Sequence, residues 1–249
     1  LILWRSSSQW IGGLFFLFFL AIIFSNKSFN YKMTNLTYSG DNNFNSESNI
    51  KDNLLKIFII YSILSIVILG LLNSSGIRLF NSLNLSMTLI SGGGFLPTES
   101  ISKIISTNFQ KVILIFSLLV SLLNIYLLFN IFNKNTLIKE HREDLYLIIL
   151  SIIFCSFIYF NNYNGLDIII SVLSSLANSG LTLMESQNNL SLYFLLITII
   201  GGSIFSNTSG IKLTRFYILL KITSLEIIKL ISPNSIINKT IFGSDKKIL

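Results

Sequence analysis

The sequence predicts an all-α membrane protein with five spanning helices and two shorter apolar segments that enter the bilayer and turn back. Three observations predict it. The 249-residue chain is 51% hydrophobic and only 12% charged, where soluble domains carry roughly 25% charge. Apolar runs near the ~20 residues needed to span a bilayer recur along its length. Between them lie two segments that are apolar but short, speckled with Ser, Asn and Thr, and closed by glycine.

In chain order, the spanning candidates are Gln9–Phe24, Leu54–Leu72, Val112–Phe132, Leu145–Phe160 and a longer run from Leu190 to about Ile222. The polar stretches 25–53 and 133–144 are loops, and 223–249 is a tail. The two short segments are Ile77–Phe95 and Leu166–Leu183. The chain therefore runs span–short–span twice, over 54–132 and 145–222, after a lone first helix in 1–24, which makes an internal repeat. A re-entrant loop fits each short member, because non-helical backbone at membrane depth is tolerated only inside protein or beside a watery cavity. A helix stop with a tight surface turn is the other reading of either loop alone. Two such loops in matching positions favour a pore.

Charge orients this arrangement. With the N-terminus outside, most of the 18 Lys and Arg residues fall on the inner side, and only Arg5, Arg78, Lys103 and Lys111 fall outside. That is the positive-inside pattern, and it puts the C-terminus in the cytoplasm. The late basic cluster then faces anionic lipid or a cytoplasmic partner. Trp4 and Trp10 sit where an aromatic belt would anchor the first helix.

Several function classes are excluded. The net charge of +7 is spread between apolar runs, with no basic, aromatic-interleaved surface for nucleic acid. One cysteine (Cys155) and one histidine (His141) rule out a disulfide framework and a Cys/His metal cluster. Cys155 packs within a span. His141 is a solvated loop residue or a pH sensor. No nucleophile–base pair and no paired intramembrane acids are present, so an enzyme is not expected. The opening "LILWRSSSQW" has no signal-peptide pattern, and a segment of a larger protein is expected.

The chemistry resides in the two glycine loops. A helix C-terminus aimed at a cavity favours a cation there. Backbone carbonyls after it can replace an ion's hydration shell, in a loop whose glycines accept φ > 0. In "TLISGGGF" the carbonyls would come from Ile90, Ser91, Gly92 and Gly93, with Gly94 closing the turn; in "SSLANSGL" they would come from Ala177, Asn178, Ser179 and Gly180. Asp167 and Glu185 flank the second loop; Asp167 either concentrates cations or caps its helix. A third signal lies in the last run, "GGSIFSNTSGIKLTR". Gly201, Gly202, Ser206, Asn207, Thr208, Ser209 and Gly210 interrupt an apolar helix, as in broken helices at binding sites and gates. Lys212 must then face a cavity or partner, or snorkel to the inner interface. Alternatively, the helix ends near Phe205 and an interfacial helix follows.

Four stretches carry a resemblance. "WRSSSQWIGG" (4–13), "TLISGGGF" (88–95), "SSLANSGL" (174–181) and "GGSIFSNTSGIKLTR" (201–215) are similar, in order and spacing, to motifs of the Trk/Ktr/HKT potassium transporters, specifically the TrkH-type membrane subunit. The resemblance implies K⁺-channel-like M1–P–M2 repeats, four around one pore. This chain would hold the last helix of repeat one and repeats two and three, with the first and fourth pore loops missing. It implies potassium uptake across the bacterial cytoplasmic membrane, with K⁺ or Na⁺ as the transported ion and no covalently bound cofactor. It also implies a homodimer with a cytoplasmic nucleotide-binding regulatory ring. Residues 201–212 would be the gate loop, although Phe205, Asn207, Thr208 and Ser209 replace that family's smaller residues. A non-conducting remnant or accessory protein that keeps the fold is the alternative function.

Overall fold

The computed structural model describes residues 1–25, 47–127, 142–159, 164–183, 188–231, 240–241 and 244–247. Most of the predicted loops 25–53 and 133–144 lies outside these residues, as do His141 and Glu185.

Helices dominate: α1 (Ile2–Ser25), α2 (Glu47–Ser74), α3 (Leu79–Ile90), α4 (Asn108–Leu122), α5 (Arg142–Tyr159), α6 (Gly165–Leu176), α7 (Asn188–Ile199) and α8 (Leu213–Ile231). Two-residue strands β1 (Ile200–Gly201) and β2 (Ile211–Lys212) pair in parallel between α7 and α8. A small antiparallel pair, β3 (Thr240–Ile241) and β4 (Ser244–Lys247), follows.

Among the described residues, Ile2–Ile23 and Lys51–Ser74 are long and apolar enough to cross a membrane. Large apolar side chains cover the outer faces of several helices, including Phe15, Ile66, Ile152, Phe157 and Leu196. A water-facing surface rarely carries so much contiguous apolar area; hydrocarbon accommodates it, and the chain is a membrane protein.

The two short helices sit inside this frame. Helix α3 packs against α1, α2 and α4, and α6 packs against α4, α5 and α7. Each short helix thus contacts the long helix before it, the one after it, and the last helix of the preceding unit. Their buried polar residues bond their own helices. Ser82, Ser86, Thr88, Ser171 and Ser175 donate to carbonyls three or four residues back, and the Asn84 amide donates to Phe80 O. This back-bonding satisfies hydroxyls that have no water to turn to. The recurring Ser/Asn/Thr therefore marks tight helix packing.

Local signals explain several boundaries. Helix α4 opens with a capping box: Thr107 Oγ1 accepts from Gln110 N at 3.3 Å, and Gln110 Oε1 accepts from Thr107 N at 3.2 Å. Gln110 Nε2 also reaches Ser75 O at 3.1 Å, pinning α4 to the end of α2. The run predicted as one span over 112–132 breaks at Leu123, which is extended (φ −79°, ψ 163°). Asn124 Oδ1 then accepts from Tyr126 N at 2.9 Å and starts a new turn. The last predicted run also divides. Helix α7 stops at Ile199, and α8 extends to Ile231, well into the stretch read as tail.

Asp167 lies in the first turn of α6, where the helix dipole favours an acid. It forms an ion pair with Lys111 of α4 at 2.6 Å, with both side chains less than one-fifth exposed. Its charge is thus matched within the protein, and it is not a free acid at a mouth.

Lys111→Met should lower the stability of the purified protein by about 1–3 kcal/mol, between the exposed and fully buried limits. The Lys111→Asp/Asp167→Lys exchange should recover part of that loss. Thermal unfolding in detergent measures both; a single substitution without effect would show that the pair does not tie α4 to α6.

Candidate functional site

The two glycine loops have the same local geometry. Helices α3 and α6 each run 12 residues and end at Ile90 and Leu176. Ser91 and Ala177 follow in right-handed conformation. Next, Gly92 N donates to Leu89 O and Gly93 N to Thr88 O; Asn178 N donates to Ser175 O and Ser179 N to Ser174 O in the same pattern. Gly92 (φ 67°) matches Asn178 (φ 56°), and Gly94 (φ 90°) matches Gly180 (φ 67°). Asn is among the few non-glycine residues that adopt this left-handed conformation readily, which explains how the second loop manages with one glycine. The structural register pairs Ile90 with Leu176, so the residue sets 90–93 and 177–180 read from sequence are offset by one position.

The loops meet each other. A methyl group on Gly94 would collide with the Ser179 carbonyl, and one on Gly92 would lie 3.5 Å from Ala177 O. Gly93 leaves no room either, because a side chain there would overlap the Gln9 amide of α1. Among the described residues, no hydrogen bond ends on the carbonyls of Ser91, Gly92, Gly93, Ala177, Asn178 or Ser179. The Ile90 carbonyl differs: Asn207 Nδ2 donates to it at 2.9 Å. The Gln9 Oε1 and Asn207 Oδ1 atoms are buried beside the first loop without hydrogen-bond partners among the described residues.

Asn207 belongs to the interrupted segment, which is a closed loop. The β1–β2 pairing joins Ile200 to Ile211 and Gly201 to Lys212, and residues 202–210 close between them. Their backbone groups need partners inside the protein. Ser203 N donates to Leu122 O at 3.1 Å, and Ile125 N donates to Phe205 O at 3.0 Å. Leu122 O and Ile125 N are both available because α4 ends at Leu122 and the chain is extended at Leu123. Gly202 N donates to Thr208 Oγ1 at 2.9 Å. The Lys212 ammonium takes the partner option: it donates to Ser206 O at 3.0 Å and Thr208 O at 2.5 Å, with both hydroxyls at 3.3 Å. Phe205 is buried edge-on against Tyr126, 5.1 Å between ring centres. Ser209 and Gly210 are exposed.

Two residues that sequence reading placed in a solvated turn hold this loop. Glu143 and Asp144, at the start of α5, are buried. Glu143 Oε2 accepts from Ile204 N and Oε1 accepts from Thr214 N, each at 3.4 Å. Asp144 Oδ1 accepts from Asn124 N at 2.9 Å, at the α4 break. A buried carboxylate persists only with such partners, and the N-terminus of α5 adds favourable potential. The signal was an acidic pair immediately before an apolar run, "EDLYLIIL", and an Asn in mid-span at 124.

With this geometry in place, the comparisons with known proteins can be read. No protein-family model matches the chain. It is 26% identical over 242 residues to an uncharacterized cation transporter of Methanocaldococcus jannaschii, covering 94% of this chain and 49% of that protein. Its fold is similar to the crystal structure of the potassium transporter TrkH from Vibrio parahaemolyticus. The TM-score is 0.82 and the identity 19%, over 98% of this chain and 53% of the other. The chain spans about half the length of each. The resemblance read from the four motifs thus extends to the whole chain as a TrkH-type fold.

Glu143→Ala should lower stability by about 2–5 kcal/mol, because it leaves two buried N–H groups without an acceptor. Glu143→Gln, which keeps an acceptor, should lose less. Unfolding of the detergent-solubilised protein tests this, and equal, negligible losses would remove Glu143 from the loop's support.

Proposed function

We propose that the chain is a cation-conducting part of a TrkH-like potassium transporter, in which the paired loops line the ion path. The observation that carries this reading is the two matching loops, held against each other at the ends of short helices, with six carbonyls that accept no hydrogen bond from the described residues. Carbonyls in that state can replace water around a cation, and the C-termini of α3 and α6 bring negative potential to the same place. The fold likeness to a potassium transporter and the sequence likeness to a cation transporter support it.

On this reading α3 and α6 are re-entrant helices within two M1–P–M2 repeats, over 54–132 and 145–222, and five segments cross the membrane. Ser91–Gly94 and Ala177–Gly180 bind K⁺, with Na⁺ as the competing ion, and further repeats supply the rest of the ring. Residues 201–212 form the gate beneath it. The N-terminus lies outside and α8 leads into the cytoplasm. A second copy and a cytoplasmic nucleotide-binding ring are the proposed partners, in the cytoplasmic membrane.

The test is uptake of rubidium or potassium by potassium-uptake-deficient bacteria expressing the chain in its native reading frame. Growth at low K⁺ is expected. Gly93→Ser, which must displace Gln9, should weaken the preference for K⁺ over Na⁺. Unchanged selectivity in that variant would remove the first loop from the filter.

A further inference from the structure

The Ile90 carbonyl stands apart from its neighbours. It is the last carbonyl of α3, it precedes the carbonyls of Ser91, Gly92 and Gly93, on which no hydrogen bond from the described residues ends, and its own hydrogen bond comes from a residue 117 positions away. The donor, Asn207, is the tip of the 202–210 loop. Its main-chain oxygen also approaches the filter loop, 3.3 Å from where a methyl on Gly92 would sit. The flanks of the loop are fixed independently, by Glu143 at Ile204 and Thr214 and by Lys212 at Ser206 and Thr208. The tip is held to the filter side by the Asn207 amide, which donates to Ile90 O and also meets the Tyr61 hydroxyl of α2. A small cavity opens at this point, lined by Leu17, Tyr61, Ile90, Val120, Phe205 and Asn207.

We propose that Asn207 is a latch that competes with the transported cation for the Ile90 carbonyl. A carbonyl at this position can accept from the Asn207 amide or ligate an ion beside Ser91 and Gly92. A cation drawn one step inward from the unpaired carbonyls displaces the amide and frees the loop tip, while the flanks stay anchored. When the amide leaves Ile90 O it keeps the Tyr61 hydroxyl as a neighbour, while its Oδ1 has no hydrogen-bond partner among the described residues. Asn207 is thus a positioning residue that links ion occupancy to the state of the loop. This inference rests on the transport reading above.

The competition has a kinetic signature. Asn207→Ala and Asn207→Asp both remove the donor, one by truncation and one at constant shape. A net hydrogen bond is worth enough to change an equilibrium by about two- to tenfold. Both variants should therefore lower the KM for K⁺ in rubidium-uptake competition by about that factor, at unchanged amounts of protein in the membrane. Asn207→Asp should also slow maximal uptake, because its carboxylate holds the ion. A residue that only supports the fold would lower maximal uptake and leave KM unmoved. An unchanged KM in both variants overturns the latch, and a raised KM makes Asn207 an ion ligand and overturns it too. Absence of uptake by the unsubstituted protein would overturn the transport reading and the latch together.

Discussion

Backbone that leaves the helical path inside a bilayer must find every hydrogen-bond partner within the protein, and the rest of this structure depends on how that demand is met. The 202–210 loop draws on two sources. Helix α4 breaks at Leu123, which exposes Leu122 O and Ile125 N to Ser203 and Phe205. The acids that open α5 take further N–H groups of the loop and its surroundings, Glu143 at Ile204 and Thr214, and Asp144 at Asn124. A broken helix and a buried acidic pair are each unfavourable alone. Together they join one hydrogen-bond network around the loop.

The glycine loops obey the same constraint with a different outcome. Their N–H groups turn back onto the ends of α3 and α6, leaving six of their carbonyls without donors among the described residues. A buried carbonyl left unpaired costs free energy, and on the proposed reading a cation takes the place of the donor. That reading gives the left-handed conformations of Gly92, Asn178 and Gly94 a use. The left-handed residues aim the carbonyls, and the close approach of Gly94 to Ser179 brings the two sets together.

Much of this was legible in the sequence, where the physics is local. The short helices were visible as apolar runs too short to cross, and the loops as glycines that break them. The interruption at 201–210 was visible as polar residues inside an apolar run. What was not legible depends on distant partners. Asn124 looked like a polar residue in a span, because nothing local says that Asp144 and Tyr126 converge on it. Glu143 looked solvated because its partners lie some 60 to 70 positions later. Asp167 read as a cap or a cation attractor, since Lys111 sits in another helix. The Ser and Thr of α3 and α6 marked segments too polar to span, and their hydroxyls bond their own backbone. The one-position offset between the loops emerged only from the hydrogen bonds that end each helix.

The central claim is that the carbonyls following α3 and α6 form part of one cation site. Anomalous scattering from the protein crystallised in Rb⁺ or Tl⁺ tests it most directly. The account predicts a peak within coordination distance of carbonyls from both Ser91–Gly93 and Ala177–Ser179. Peaks confined to other surfaces, with none between these loops, would contradict it.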